Sequence, residues 1–278
     1  MLEPFQYSFF VNGSIAAVIV GALCGLIGVY VVLRGMSYIG HGLSHAIFGG
    51  AVVSYVMGWN FYIGAGLWGF LAAILINQTA RRARIGADAA IGVITTASFA
   101  VGIALISRFR KFTRNFDAAL FGNILGVDNT DVLVIAGIAL LIMAVIFVAY
   151  KRLLFTAFDS DVARVYGVRT EWVEALFALA LAATLIASMQ ILGVTLIAAA
   201  LVVPAITARL LTDGFNRMVA YSMTIGALSG LAGMYVSFYA DVASGATIVL
   251  LQACCFVIAL TIGALRRSNA RRLAHAHV

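Results

Sequence analysis

Charge is what this chain has least of. Only 10% of its 278 residues are Asp, Glu, Lys or Arg, where a soluble domain carries roughly a quarter. That supply is too thin to cover a water-facing surface, so an ordinary soluble protein of this length is excluded. Cysteine is also scarce. Cys24, Cys254 and Cys255 all lie in apolar stretches without C-x-x-C spacing, and they read as small buried hydrophobes. Proline is down to two residues, of which Pro204 stands inside an apolar run and is expected to kink it or mark a break. The opening MLEPFQYSFF has no basic n-region, so the first apolar run is expected to persist in the mature protein.

What is present is apolar. Hydrophobic residues make up 63% and mean hydropathy is +1.06. The 27 glycines are spread through these stretches, and Gly21, Gly25 and Gly28, with Gly226, Gly230 and Gly233, are spaced to form packing seams between helices. Apolar runs lie at about 12–33, 37–58, 60–79, 88–106, 130–150, 171–191, 193–211, 218–239 and 245–265. Each is close to the roughly 20 residues that cross a bilayer as a helix, the form that keeps backbone polar groups paired in lipid. The expected fold is an all-α polytopic membrane bundle of about eight to ten transmembrane helices. The segments 171–211 or 37–58 are the candidates for a broken or re-entrant path.

The net charge of +7 does not signal nucleic acid, because the basic residues sit at the ends of apolar runs rather than in one stripe. With the N-terminus outside and nine alternating runs, the inner face receives Arg34, Arg81, Arg82, Arg84, Lys151, Arg152, Arg164, Arg169, Arg209, Arg217, Arg266, Arg267, Arg271 and Arg272. That is 14 of the 18 basic residues. Arg108, Arg110, Lys111 and Arg114 fall outside and break the rule. A single transmembrane domain over 1–265 is expected, with a basic tail at 266–278 that frays on the inner side. The segment 151–174 interrupts the spans with four acidic and four basic residues. Asp159 or Ser160 is placed to N-cap a short helix there, with Gly167 just past its end. By charge alone this stretch is equally an ordinary solvated loop.

Histidine is rare, and its placement is informative. His275 and His277 lie in the polar tail, whereas His41 and His45 stand four apart in an apolar run and so share a helix face. Two imidazoles at that spacing can chelate one transition-metal ion, and ionisable residues within a membrane are usually functional. The competing reading makes them hydrogen-bonded packing groups. HGLSH has Gly42 where the H-E-x-x-H general base would be, which argues against an intramembrane metalloprotease.

Several stretches, in order, carry a family resemblance. They are LEPFQYSFF and the Gly-spaced run up to VVLRGMSYIG, then HGLSHAIFGGAV at 41–52, LFGNIL at 120–125 and AFDSDVARVYGV at 157–168. GVTLIAAALVVPAITARLLT at 193–212 and SFYADVASGATIVLL at 237–251 complete the set. From its first residues to about 265 the chain resembles the permease subunits of the manganese/zinc/iron ABC importers, which are similar in build to the larger vitamin and iron-chelate permeases.

The resemblance implies a prokaryotic plasma-membrane protein that works with a second copy of itself, a cytoplasmic ABC ATPase dimer and an extracytoplasmic metal-binding protein. The chain itself has no G-x-x-x-x-G-K-[ST] loop, its only lysines being Lys111 and Lys151, so ATP is expected to bind on a partner and the chain is not expected to be an enzyme. No resident cofactor is implied; the cargo is a divalent ion, with zinc and manganese first and iron third. His45 matches the metal-associated histidine of the family, while His41 stands where the family usually has Asp. Imidazole suits zinc, copper, nickel or iron better than manganese. Asp241, at an expected outer helix end, is a candidate further ligand, and Met36 a candidate thioether. Phe158, Asp159, Asp161, Val162, Arg164 and Gly167 are implied to dock on the ATPase. A vitamin or iron-chelate permease and an ion-coupled secondary transporter remain the alternative readings.

Overall fold

The computed structural model describes residues 3–82, 87–109, 122 and 124–276. Among these every regular element is helical. A 3₁₀ turn (Glu3–Gln6) leads into α1 (Ser8–Leu33), α2 (Ser37–Met57), α3 (Phe61–Arg82) and α4 (Ala87–Phe109). After a second 3₁₀ turn (Ile124–Gly126) come α5 (Asn129–Phe158), the short α6 (Ser160–Val165), α7 (Thr170–Leu211), α8 (Phe215–Ala240) and α9 (Ser244–Ala276). The outer-facing stretch expected at 107–129 lies largely outside the described residues, as do Arg84 and the Arg110–Arg114 part of the basic exception.

Seven of these helices are long and apolar enough to cross a membrane. The longest of them, α7, is interrupted at Gly193, and α2 adds a 21-residue helix whose two histidines lower its hydropathy. Counting α7 as two and including α2 gives nine segments, one for each apolar run. The tail departs from expectation. α9 stays helical to Ala276, because nothing between Gly263 and Ala276 is a proline or glycine and Ala, Leu and Arg favour helix.

Helix α1 forms the axis of the bundle, with 78% of its apolar window buried against 28% for α5 and α9. Its seam with α8 rests on small residues. A Cβ at Gly21 would fall on the Gly226 carbonyl, and one at Gly230 would meet Ala17 O at 2.5 Å. The Ser222 hydroxyl donates to Gly25 O at 2.7 Å across the same contact. The two outer members of the predicted seams face elsewhere, Gly28 against Leu201 of α7 and Gly233 against Ile248 of α9.

The two limbs of α7 meet the same end of α1. Phe177 stacks near Tyr30 at 6.3 Å, and Arg34 lies 4.4 Å above the Phe177 ring. Ala205 and Ala208 pack with Val29 and Val32. In a straight helix Phe177 and Ala205 would be about 42 Å apart at 1.5 Å per residue. The chain therefore turns back at Gly193, whose φ of 71° and ψ of 164° belong to a region that is essentially glycine's alone. Pro204, the expected site of a kink, lies buried within the second limb, and the break falls eleven residues earlier, at Gly193.

These contacts sort the bundle into two ends. One gathers the C-terminus of α1, the last turn of α5, α6 and the start of α7, tied by a 3.0 Å hydrogen bond from Arg34 Nη2 to Thr156 Oγ1. The other gathers the starts of α1, α3 and α5 with the end of α8, where Tyr7 meets Phe238 at 6.0 Å. The alternation expected from the basic residues gives the same partition.

Candidate functional site

Helix α2 is held between α3, α4 and α7 by its small residues. Gly42 faces Ile91 and Thr95 of α4, while Gly50 faces Trp68 and Gly64 of α3. This close packing leaves His41 and His45 half-buried on one helix face. Their ring centroids are 4.7 Å apart and the rings nearly perpendicular, at 83°. The far side of His45 meets Phe99 of α4 edge-on at 4.9 Å, and Phe99 in turn packs on Phe48 at 5.3 Å. His45 Nδ1 is buried and has no hydrogen-bond partner. An imidazole nitrogen left unpaired in an apolar wall is a costly feature unless something else occupies it.

Ser44 sits between the two histidines on the helix and faces α7. Its hydroxyl donates to His41 O at 2.8 Å and to Val194 O at 3.2 Å, a single proton shared by two acceptors. Val194 directly follows Gly193. The break in α7 therefore lies beside the histidine turn of α2, and irregular backbone is tolerated at membrane depth where protein buries it or where it lines a pathway.

Among the described residues no group of three or more His, Cys, Asp or Glu side chains is gathered closely enough to hold an ion. The two histidines are thus a partial ligand set. Asp241 is not brought to them: it closes α8 in a left-handed conformation, φ 53°, three residues past Phe238 and so beside the start of α1. Met36 is the N-cap of α2 and packs against the core as apolar filler. Cys24 is buried 3.4 Å from Ser188 Oγ, and all three cysteines are unpaired.

Three residues before Gly193, at the same tip of α7, lies a polar contact that sequence reasoning missed. The Tyr62 hydroxyl donates to Gln190 Oε1 at 2.6 Å and to Asp131 Oδ1 at 3.0 Å, joining α3, α5 and the tip of α7. Asp131 also closes a reciprocal capping box with Asp128, with bonds of 2.8 and 3.3 Å. Nothing in the sequence pairs Tyr62 with Asp131 or Gln190, which lie 69 and 128 residues away.

Most of the 151–174 segment is helical rather than a plain loop. Residues 151–158 complete α5, α6 follows and 170–174 open α7, so the interruption expected over the whole stretch narrows to the turns at either end of α6. Asp159 caps α6, accepting from Val162 N at 2.9 Å and Asp161 N at 3.0 Å. Gly167, at φ 81°, ends it, with Val168 N bonded to Ala163 O at 3.0 Å. Ala163 is buried and anchors the turn. Phe158 is the final residue of α5 and 70% exposed, and Val162 is 41% exposed. Val165, Tyr166 and Trp172, which the sequence reading did not single out, are more exposed still. Arg164 and Asp161 form an exposed 3.9 Å ion pair, of a kind that contributes little to stability.

Known proteins resemble this chain along almost its full length. The manganese transport system membrane protein MntC of Halalkalibacterium halodurans is 38% identical over 257 residues, which is 92% of this chain and 88% of that protein. The manganese import system permease protein ScaB of Streptococcus gordonii is 34% identical, covering 96% of each chain. The chelated iron transport system membrane protein YfeC of Yersinia pestis is 36% identical over 92% of this chain and 87% of its own. Among solved structures, PsaBC from Streptococcus pneumoniae in complex with Fab superposes with a TM-score of 0.84 at 35% identity, covering 93% of this chain and 92% of that one. With spanning helices throughout and relatives that are transport-system membrane proteins, this is a multi-pass protein of the plasma membrane. Residues 6–263 match the ABC 3 transport family, and the chain belongs to that family.

Proposed function

We propose that this chain is the membrane-spanning permease subunit of an ABC importer that brings a divalent transition-metal ion into the cytoplasm, with ATP hydrolysed on a separate subunit. The relatives named above carry manganese or chelated iron in their names, and these two metals become the leading cargoes. Zinc, ranked level with manganese by the family resemblance and favoured by the imidazoles, drops behind them.

The observation that carries the reading is the His41–His45 pair beside the break at Gly193. A bare divalent ion cannot enter a low-dielectric interior unless protein groups replace its water, because the desolvation cost is many kcal/mol. His45, with its unpaired Nδ1, has the capacity to act as such a group, and His41 is its neighbour on the same face. Two ligands hold an ion weakly, which suits a site that must also release it. The family resemblance implies a second copy of the chain, and in such a homodimer that copy would supply another pair. An extracytoplasmic metal-binding protein would deliver the ion. The exposed Phe158 and Val162 next to α6 would dock in a groove of the ATPase, with Asp159, Asp161 and Arg164 at the rim and Gly167 fixing the end of the turn.

The test is reconstitution of the permease with its ATPase and binding protein in liposomes, assayed ion by ion. Uptake of manganese or iron that requires ATP is the expected result. Uptake that persists without ATP and collapses with the proton gradient would instead identify an ion-coupled carrier.

A further inference from the structure

Two adjoining cavities, of about 680 and 350 Å³, open between the C-terminal half of α5 and the start of α8, at the end of the bundle that carries α6. They share Tyr150 and Asn216, whose side chains are joined by a 3.0 Å hydrogen bond from the tyrosine hydroxyl. Lys151, Arg152 and Arg217 line the pair, all three exposed, and no carboxylate is among the described residues that do so. One turn higher on α5, Phe147 and Val148 continue the wall of the larger cavity and are 84% and 86% exposed. Residues 147, 148, 151 and 152 form one helix face, apolar toward the bundle centre and basic toward its end. The start of α8 adds to the positive character, since Gly214 provides no side-chain cap there.

We propose that this cleft binds an acidic phospholipid of the inner leaflet. The headgroup phosphate lies among Lys151, Arg152 and Arg217, and an acyl chain runs up the Phe147–Val148 wall. Charge complementarity selects the lipid class. A cleft with three cations and no carboxylate favours a headgroup of net negative charge over a zwitterion, whose ammonium would find no partner, and basic pockets between spanning helices on the cytoplasmic side are suited to acidic headgroups. The apolar wall distinguishes a lipid from a free anion, which would gain nothing from Phe147 and Val148.

The experiment is native mass spectrometry of the full chain released from mild detergent, with phosphatidylglycerol or phosphatidylcholine added. Retention of phosphatidylglycerol adducts above phosphatidylcholine is expected, falling by about fivefold for each basic residue removed in Lys151→Gln, Arg152→Gln and Arg217→Gln. Arg209→Gln, an exposed basic residue in the last turn of α7 outside the cleft, should leave retention unchanged. Circular dichroism of each single variant keeps a folding defect separate from a binding defect. Equal retention of both lipids, equal losses from Arg209→Gln, or full displacement of the lipid by inorganic phosphate would each overturn the proposal. So would release of the ATPase, rather than the lipid, by the three substitutions, since the cleft would then be a protein interface.

Discussion

The Ser44 hydroxyl reaches Val194 O at 3.2 Å, linking the turn of α2 that carries both histidines to the first residue beyond the break in α7. The two most unusual features of the chain, an ionisable pair in an apolar helix and a helix that doubles back, are therefore one feature in space. An ion held at His45 would feel any movement of the α7 hairpin through this contact.

His45→Ala is expected to abolish metal uptake by the reconstituted importer while leaving assembly with the ATPase intact. His41→Asp should keep transport and raise the preference for manganese over zinc, because it exchanges a nitrogen ligand for a hard, negatively charged oxygen. Radiolabelled uptake with competing metals measures both. Wild-type import of every metal by both His41→Ala and His45→Ala would make the pair a packing contact.

Gly193→Ala should destabilise the permease by about 1–3 kcal/mol, because φ 71° with ψ 164° is a conformation that a Cβ disfavours strongly. Thermal unfolding in detergent reads this directly. Pro204→Ala, in the regular second limb, should cost less than Gly193→Ala. The reverse order would move the break in α7 to the proline.

The α1–α8 seam leaves no room for side chains. Gly226→Val is expected to block folding or assembly, seen as loss of monodisperse protein in size-exclusion chromatography, because its Cβ would meet the Gly21 carbonyl. Gly137→Ala, on α5 where nothing lies within 4 Å of an added Cβ, is the matched control and should behave as wild type.

Phe158→Ala combined with Val162→Ala should weaken co-purification of the ATPase, and adding Trp172→Ala should weaken it further, since a few exposed apolar anchors carry most of such an interface. The permease should still insert and remain helical. Undiminished complex formation by the triple variant would leave α6 without a docking role.

Cysteines introduced at Ser160 and Thr130, at opposite ends of α5, should respond differently to an impermeant thiol reagent in whole cells lacking the native three cysteines. Thr130→Cys should label from outside and Ser160→Cys should not. Labelling of Ser160→Cys from outside would invert the topology.

Much of the fold was legible beforehand because membrane helices announce themselves by length and composition. Each apolar run became a helix or a limb of one, and Asp159 and Gly167 bounded α6 as their side-chain chemistry dictates. The exposed apolar surface around α6 was read only in part. Val165, Tyr166 and Trp172 are apolar residues in a charged stretch, and their exposure depends on how α6 lies against α7, which periodicity over six residues cannot encode. Asp241 was considered as a ligand on membrane depth alone, and depth does not say which helices are neighbours.

Composition by itself determined that the chain lives in lipid, since 10% charge cannot solvate a folded surface. Spacing by itself put His41 and His45 on one face, because the helix repeat does so wherever the helix lies. The adjoining runs 171–191 and 193–211 already marked a division there; tertiary structure decided that the chain turns back on itself at Gly193, with Pro204 inside a regular limb, and that the tip meets Ser44. A glycine in sequence is permissive of many conformations. Only the packing of both limbs against the same end of α1 selects the one that reverses the chain.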